Sequence, residues 1–250
     1  MRSGPMFAAI LFLMTDAGMA QPIPPLPPPR PGDAPPTSPP PAPPTEPLPS
    51  TPGENDPTHL VAEPDPCLTR LRAAGFDVEA AEHPSAPNDL CRIEVPVRLK
   101  AVPVRSRPGA MVRLGDQPIL ACRFADGFGH WLGDLVAPLI AGSTNTELKS
   151  VRTGPGFECR NRNRAATGKL SAHAEGLAID IAGFELANGT TLRIKPEPDA
   201  PPNPALAALR TAACGWFTTI LGPGSDAAHA DHLHVDIQQH GSSDRYRICQ

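Results

Sequence analysis

Apolar and polar residues alternate through two short stretches in the second half of the chain. Across 177–182, Leu177, Ile179 and Ile181 fall on one face of a strand, and Asp180 falls on the other with Ala178 and Ala182. Across 232–237, Leu233, Val235 and Ile237 form one face, and His232, His234 and Asp236 the other. The pattern predicts two strands, each burying an apolar side and turning its polar groups to a common open side of a sheet.

The rest of the chain carries weaker versions of the same signals. Residues 67–74 predict a short helix stopped by Gly75, and 76–80 a brief strand. Residues 93–97 and 111–114 are rich in β-branched and apolar side chains. With their flanking prolines they predict edge strands. Residues 119–141 show helical spacing, with Trp131, Leu132, Leu135 and Leu139 on a buried stripe. Residues 147–152 predict a strand that runs into an arginine-rich loop. Asn188-Gly189, set between 184–186 and 191–194, is a hairpin signal. Residues 203–221 predict a helix with Leu206, Leu209, Ala213 and Phe217 on one side, broken by Gly222-Pro223-Gly224.

Composition divides the 250 residues. Of 35 prolines, 18 lie between Pro22 and Pro57. Residues 21–60 therefore predict a polyproline-rich linker that cannot bury a core and could reach on the order of 100 Å. Residues 1–20 predict a signal peptide: Arg2, a short apolar run over 7–14, and Gly18-Met19-Ala20 as a cleavage site, with Gln21 starting the mature chain. No segment after that cleavage is long and apolar enough to span a bilayer. Residues 61–250 remain for one domain with a sizeable core. The formal charge of -4 carries no signature of a nucleic-acid partner. Six cysteines in an exported chain predict disulfides, preferentially Cys67 with Cys91 and Cys214 with Cys249.

The candidate chemistry lies on the two alternating stretches. Ser171-x-His173-x-x-Gly176-x-Ala178-x-Asp180 and His229-x-Asp231-His232-x-His234 offer a carboxylate and up to four imidazoles, the ligand types of a catalytic zinc site. The pair of motifs resembles the zinc peptidases that include D-Ala-D-Ala carboxypeptidases and murein endopeptidases, whose fold is shared with the hedgehog signalling domain. The stretch from about Cys67 to Cys249 is similar, more closely, to bacterial extensin-like C-terminal domains. The resemblance implies an α+β fold in which a small antiparallel sheet carries the zinc site and packs against two or three helices. It implies His173, Asp180 and His234 as the ligands of one Zn2+.

For proton transfer two candidates stand. Asp231 lies where many relatives place an acidic base, though usually a Glu, and His232 shares the strand face of His234. His229 either lines the pocket or, like Asp231, orients a ligand imidazole. Arg160, with Arg162 and Arg164 as neighbours, matches an arginine that holds a substrate carboxylate in relatives. Ser171 steadies the loop or the substrate by hydrogen bonding. The expected activity is hydrolysis of stem-peptide or cross-link amides of peptidoglycan in the periplasm or outside the cell. Two rivals are a zinc-stabilised wall-binding module without turnover and a structural envelope protein dominated by the proline-rich segment.

Overall fold

Local signals start and stop the helices in a computed structural model that describes residues 65–198, 201, 203–242 and 246–250. Helix α1, Pro66–Ala73, opens with the Asp65 carboxylate accepting from the Cys67 amide at 2.7 Å and with Pro66 in its first turn. Helix α4, Pro204–Ala213, is capped the same way by Asn203. Between them runs one continuous helical segment: α2 (Cys122–His130), a π-wound stretch Trp131–Val136, and α3 (Ala137–Thr144). The signal-peptide and linker segments predicted from the sequence lie outside the described residues. Among the described residues no helix is long and apolar enough to cross a membrane.

The described residues form a mixed ten-stranded sheet rather than the small antiparallel one expected. Its strands are β1 (Asp77–Ala80), β2 (Pro96–Pro103), β3 (Met111–Leu114), β4 (Ile119–Ala121), β5 (Leu148–Thr153), β6 (Ala178–Leu186), β7 (Thr191–Arg193), β8 (Thr219–Leu221), β9 (Leu233–Asp236) and β10 (Ile248–Cys249). The order is β1-β2-β3-β5-β6-β9-β8-β10, with β4 paired to β2 and β7 to β6. Two of the pairings, β3 with β5 and β8 with β10, are parallel. The α+β class holds.

Several elements depart from the sequence expectation for tertiary reasons. Strands β2 and β3 are interior, not edges. Pro96 and Pro103 sit at the two ends of β2, so neither removes a donor from its middle. Residues 119–121 pair with Pro96–Arg98 as β4, and the helix begins only at Cys122. The π-wound turn then shifts the buried stripe. Trp131 and Leu132 are fully buried as expected, but Val136 and Ile140 follow them inside, and Leu135 is only partly buried. Finally α4 stops at Ala213. The β-branched residues Thr219 and Ile220 join the sheet as β8, antiparallel to β9. Phe217, expected on the helix, instead packs against Phe124 and Trp131 in the aromatic centre of the core.

All six cysteines are paired. Cys214–Cys249 matches the expectation and ties β10 to the end of α4. The other two correct it: Cys67 bonds Cys122, joining the starts of α1 and α2, and Cys91 bonds Cys159. The start of α2 returns to the start of α1, while the loop holding Cys91 meets the loop beyond β5. Three disulfides indicate an oxidising environment, outside the cell or in a periplasm. The Cys91–Cys159 bridge closes a loop 68 residues long. The double variant Cys91→Ser/Cys159→Ser is expected to lose about 2–4 kcal/mol, read as a lower urea midpoint.

Candidate metal centre

Strand pairing builds the site. β6 and β9 run antiparallel with Asp180 directly opposite His234, so both side chains stand on one face about one side-chain width apart. Ile179 opposite Val235, and Ile181 opposite Leu233, fill the core on the other face. The third group arrives from a single 3-10 turn, Ala172–Glu175, capped by Ser171, whose hydroxyl accepts from the His173 amide. Gly176 ends this turn at φ 66°, and a Cβ there would sit 2.5 Å from Ile93 Cδ1. The turn thus folds flat against the strand it feeds and delivers His173 to Asp180. One nitrogen each of His173 and His234 and one oxygen of Asp180 all lie within 4.8 Å of one another.

Hydrogen bonds fix which nitrogen each imidazole offers. His173 Nδ1–H donates to the Gly156 carbonyl at 2.6 Å, leaving Nε2, 3.2 Å from Asp180 Oδ1, as the nitrogen turned to the centre. His234 does the reverse. Its Nε2–H donates to Asp236 Oδ2 at 3.0 Å, and its Nδ1 lies 2.9 Å from Asp180 Oδ1. Nδ1 of His234 and Nε2 of His173 are 3.3 Å apart. Two imidazole nitrogens and a carboxylate oxygen converge, each imidazole held from behind by an acceptor. Two nitrogens, one carboxylate oxygen and such outer support suit zinc, so the residues present fit the ion.

In the metal-free chain, protons hold this cluster. Burial opposes charge on Asp180, but hydrogen bonds from His173 and His234 hold its carboxyl far below the usual carboxylate range. Burial likewise disfavours protonated His234, yet Asp180 and Asp236 overcome it and push the imidazole up to about 9. A folded-state value above the ordinary 6.5 stabilises the fold fully below pH 6.5, and that contribution disappears as pH rises through about 9. The melting temperature of chelator-treated protein is therefore expected to fall between pH 6.5 and 9, and to fall less in His234→Gln.

The remaining expected residues surround this centre. His232 lies just before β9 with Nε2 3.5 Å from Asp180 Oδ1, and its Nδ1–H donates to Asp231 Oδ1 at 2.9 Å. Asp231 is largely exposed and meets the centre through His232. His229 is buried, with Nδ1–H on Asp226 Oδ1 at 2.7 Å, and its ring lies 5.2 Å from that of His232 and 5.6 Å from that of His234. Burial pushes His229 below its ordinary value against the pull of Asp226.

The structure separates the three clustered arginines. Arg160 is mostly buried, its Nε on Glu158 Oε2 at 2.8 Å and its Nη2 3.5 Å from Asp180 Oδ2. Arg162 turns away to Gln238, and Arg164 grips Glu158 from the solvent side. The loop bearing Arg160 is fastened to the His173 turn by Glu158 N–H to His173 O and Ser171 N–H to Arg160 O. Ser171 spends its hydroxyl oxygen on that turn.

Three contributors escape the sequence reading: Gly156, Asp226 and Glu158. The role of Gly156 is carried by a backbone carbonyl, which no side-chain pattern marks. Its φ of 79° and the Ile119 carbonyl 2.5 Å from where a Cβ would lie leave room for glycine alone. Asp226 has a faint signal, since it stands three residues before His229 and caps the turn Ala227–His229. Glu158 is buried enough to disfavour its charge, yet Arg164 and Arg160 hold it below its usual range.

An α+β domain with two histidines and an aspartate converging on one sheet face is the class that fold and site define. A family model described as Extensin-like protein C-terminus matches residues 65–250, and the chain belongs to that family. Neither the curated proteins nor the solved structures contain a match to the chain.

Proposed function

We propose that the protein is a zinc-dependent peptidase of the bacterial cell envelope that hydrolyses stem-peptide or cross-link amides of peptidoglycan, in the superfamily of D-Ala-D-Ala carboxypeptidases and murein endopeptidases. The observation that carries this reading is the convergence of His173 Nε2, His234 Nδ1 and Asp180 Oδ1, with both imidazole tautomers set from behind. Zinc held there would supply Lewis acidity to the scissile carbonyl and acidify water toward a pKa of roughly 7.

The chain's own residues supply the rest. His232 presents Nε2 beside the centre and accepts the proton of the attacking water. Asp231, accepting from Nδ1–H, leaves Nε2 as the proton acceptor and steadies the imidazolium that forms. The same Nε2–H then returns the proton to the departing amine. Arg160, held at Nε by Glu158 and with Nη2 3.5 Å from Asp180 Oδ2, offers Nη1 to a substrate carboxylate. His229, whose charged form burial disfavours, lies beside His232.

The test is incubation of the exported protein with peptidoglycan fragments, followed by mass spectrometry. The expected products together weigh one water more than the fragment, and a chelator abolishes their release. Retention on insoluble peptidoglycan without any product, zinc present, would favour a wall-binding module instead.

A further inference from the structure

We propose that Asp236 is a positioning residue that dictates which nitrogen His234 gives to the metal. The inference rests on the metal-centre reading above and concerns a residue two positions beyond the ligand. Asp236 is buried, 4% exposed, on the same strand face as His234 and opposite Ala178 in the pairing of β6 with β9. Its two oxygens have separate duties. Oδ2 accepts from His234 Nε2–H at 3.0 Å. Oδ1 accepts from the backbone N–H of Gln238 at 2.9 Å, and the Thr218 hydroxyl lies 3.2 Å from the same oxygen. A backbone amide can only donate. The carboxylate is therefore locked in rotation, with one oxygen pinned to Gln238 and the other left as the obligatory acceptor for Nε2–H.

The lock has a consequence specific to asparagine. Asp236→Asn fills the same volume, so a purely structural role predicts little change. Its carbonyl oxygen must stay on Gln238 N–H, because the amide NH2 there would meet another donor. The NH2 then faces His234 Nε2, which has to become an acceptor, and the imidazole proton moves to Nδ1. That is the nitrogen turned toward Asp180 and His173, so the lone pair needed for the metal is gone. The same exchange in a Ser-His-Asp triad acts by leaving the histidine in the wrong tautomer. If the amide flips instead, the Gln238 bond is lost in a buried place, at a cost comparable to an unsatisfied donor.

Two measurements decide it. Competition with a chromophoric zinc chelator is expected to show about 10–100-fold weaker zinc binding in Asp236→Asn than in wild type, with circular dichroism unchanged. Nitrogen-15 NMR of histidine-labelled, zinc-loaded wild type is expected to show His234 protonated at Nε2 and coordinated through Nδ1, and it needs no variant to fold. Equal zinc affinity in a folded Asp236→Asn protein, or a His234 coordinated through Nε2, would overturn the proposal. A wild type with no affinity for zinc would overturn the metal centre itself, and this inference with it.

Discussion

Replacing His232 by Ala is expected to leave zinc in place and to lower the proposed peptide hydrolysis by about 10²–10⁴-fold, the usual effect of removing a general acid–base group. The expectation follows from position. His232 Nε2 is close enough to Asp180 Oδ1, at 3.5 Å, to serve a water at the centre, yet His232 stands outside the trio of groups that converge on one point. Asp231→Ala is expected to reduce turnover less, since His232 keeps its imidazole and loses only the partner at Nδ1. Zinc content and hydrolysis measured on both variants separate the roles. A fully active His232→Ala beside a zinc-loaded, inactive Asp231→Ala would make Asp231 the base and refute the assignment.

Loss of a ligand is expected to be more severe. His173→Ala removes one of two nitrogen donors and also strands the Gly156 carbonyl, which now accepts from Nδ1–H in a buried place. His234→Ala leaves Asp180 and Asp236 without the imidazole that both contact. Each variant should retain no zinc through dialysis and show no turnover above background. Of the two, His234→Ala should lose more thermal stability, because Asp180 and the buried Asp236 are both left without their shared partner. Differential scanning calorimetry on metal-free samples checks the ranking: equal melting temperatures for the two variants would contradict it.

The site was legible to the extent that it is written in local alternation. A strand period of two puts Asp180 and His234 on polar faces whatever the rest of the chain does, and the register of β6 with β9 then sets them opposite each other. Asn188-Gly189 announces its hairpin, and Gly75 the end of α1, for equally local reasons. What escaped was set by contacts far apart in sequence. Residues 119–121 carry a helical pattern, but β2 captures them as a strand. The π-wound turn moves the buried stripe by one position, which no period of 3.6 anticipates. Cys67 finds Cys122 rather than Cys91 because helix packing decides that encounter. The Gly156 carbonyl belongs to the same class, being a backbone atom that serves His173 from 17 residues away.

The proposed activity requires a metal held by His173, Asp180 and His234. The most direct measurement is the zinc-to-chain ratio of purified, dialysed protein by elemental analysis, on wild type alongside His173→Ala and His234→Ala. About one zinc per chain is expected in wild type and none in either variant. Wild-type protein that takes up no zinc, or full occupancy surviving in both variants, would contradict it.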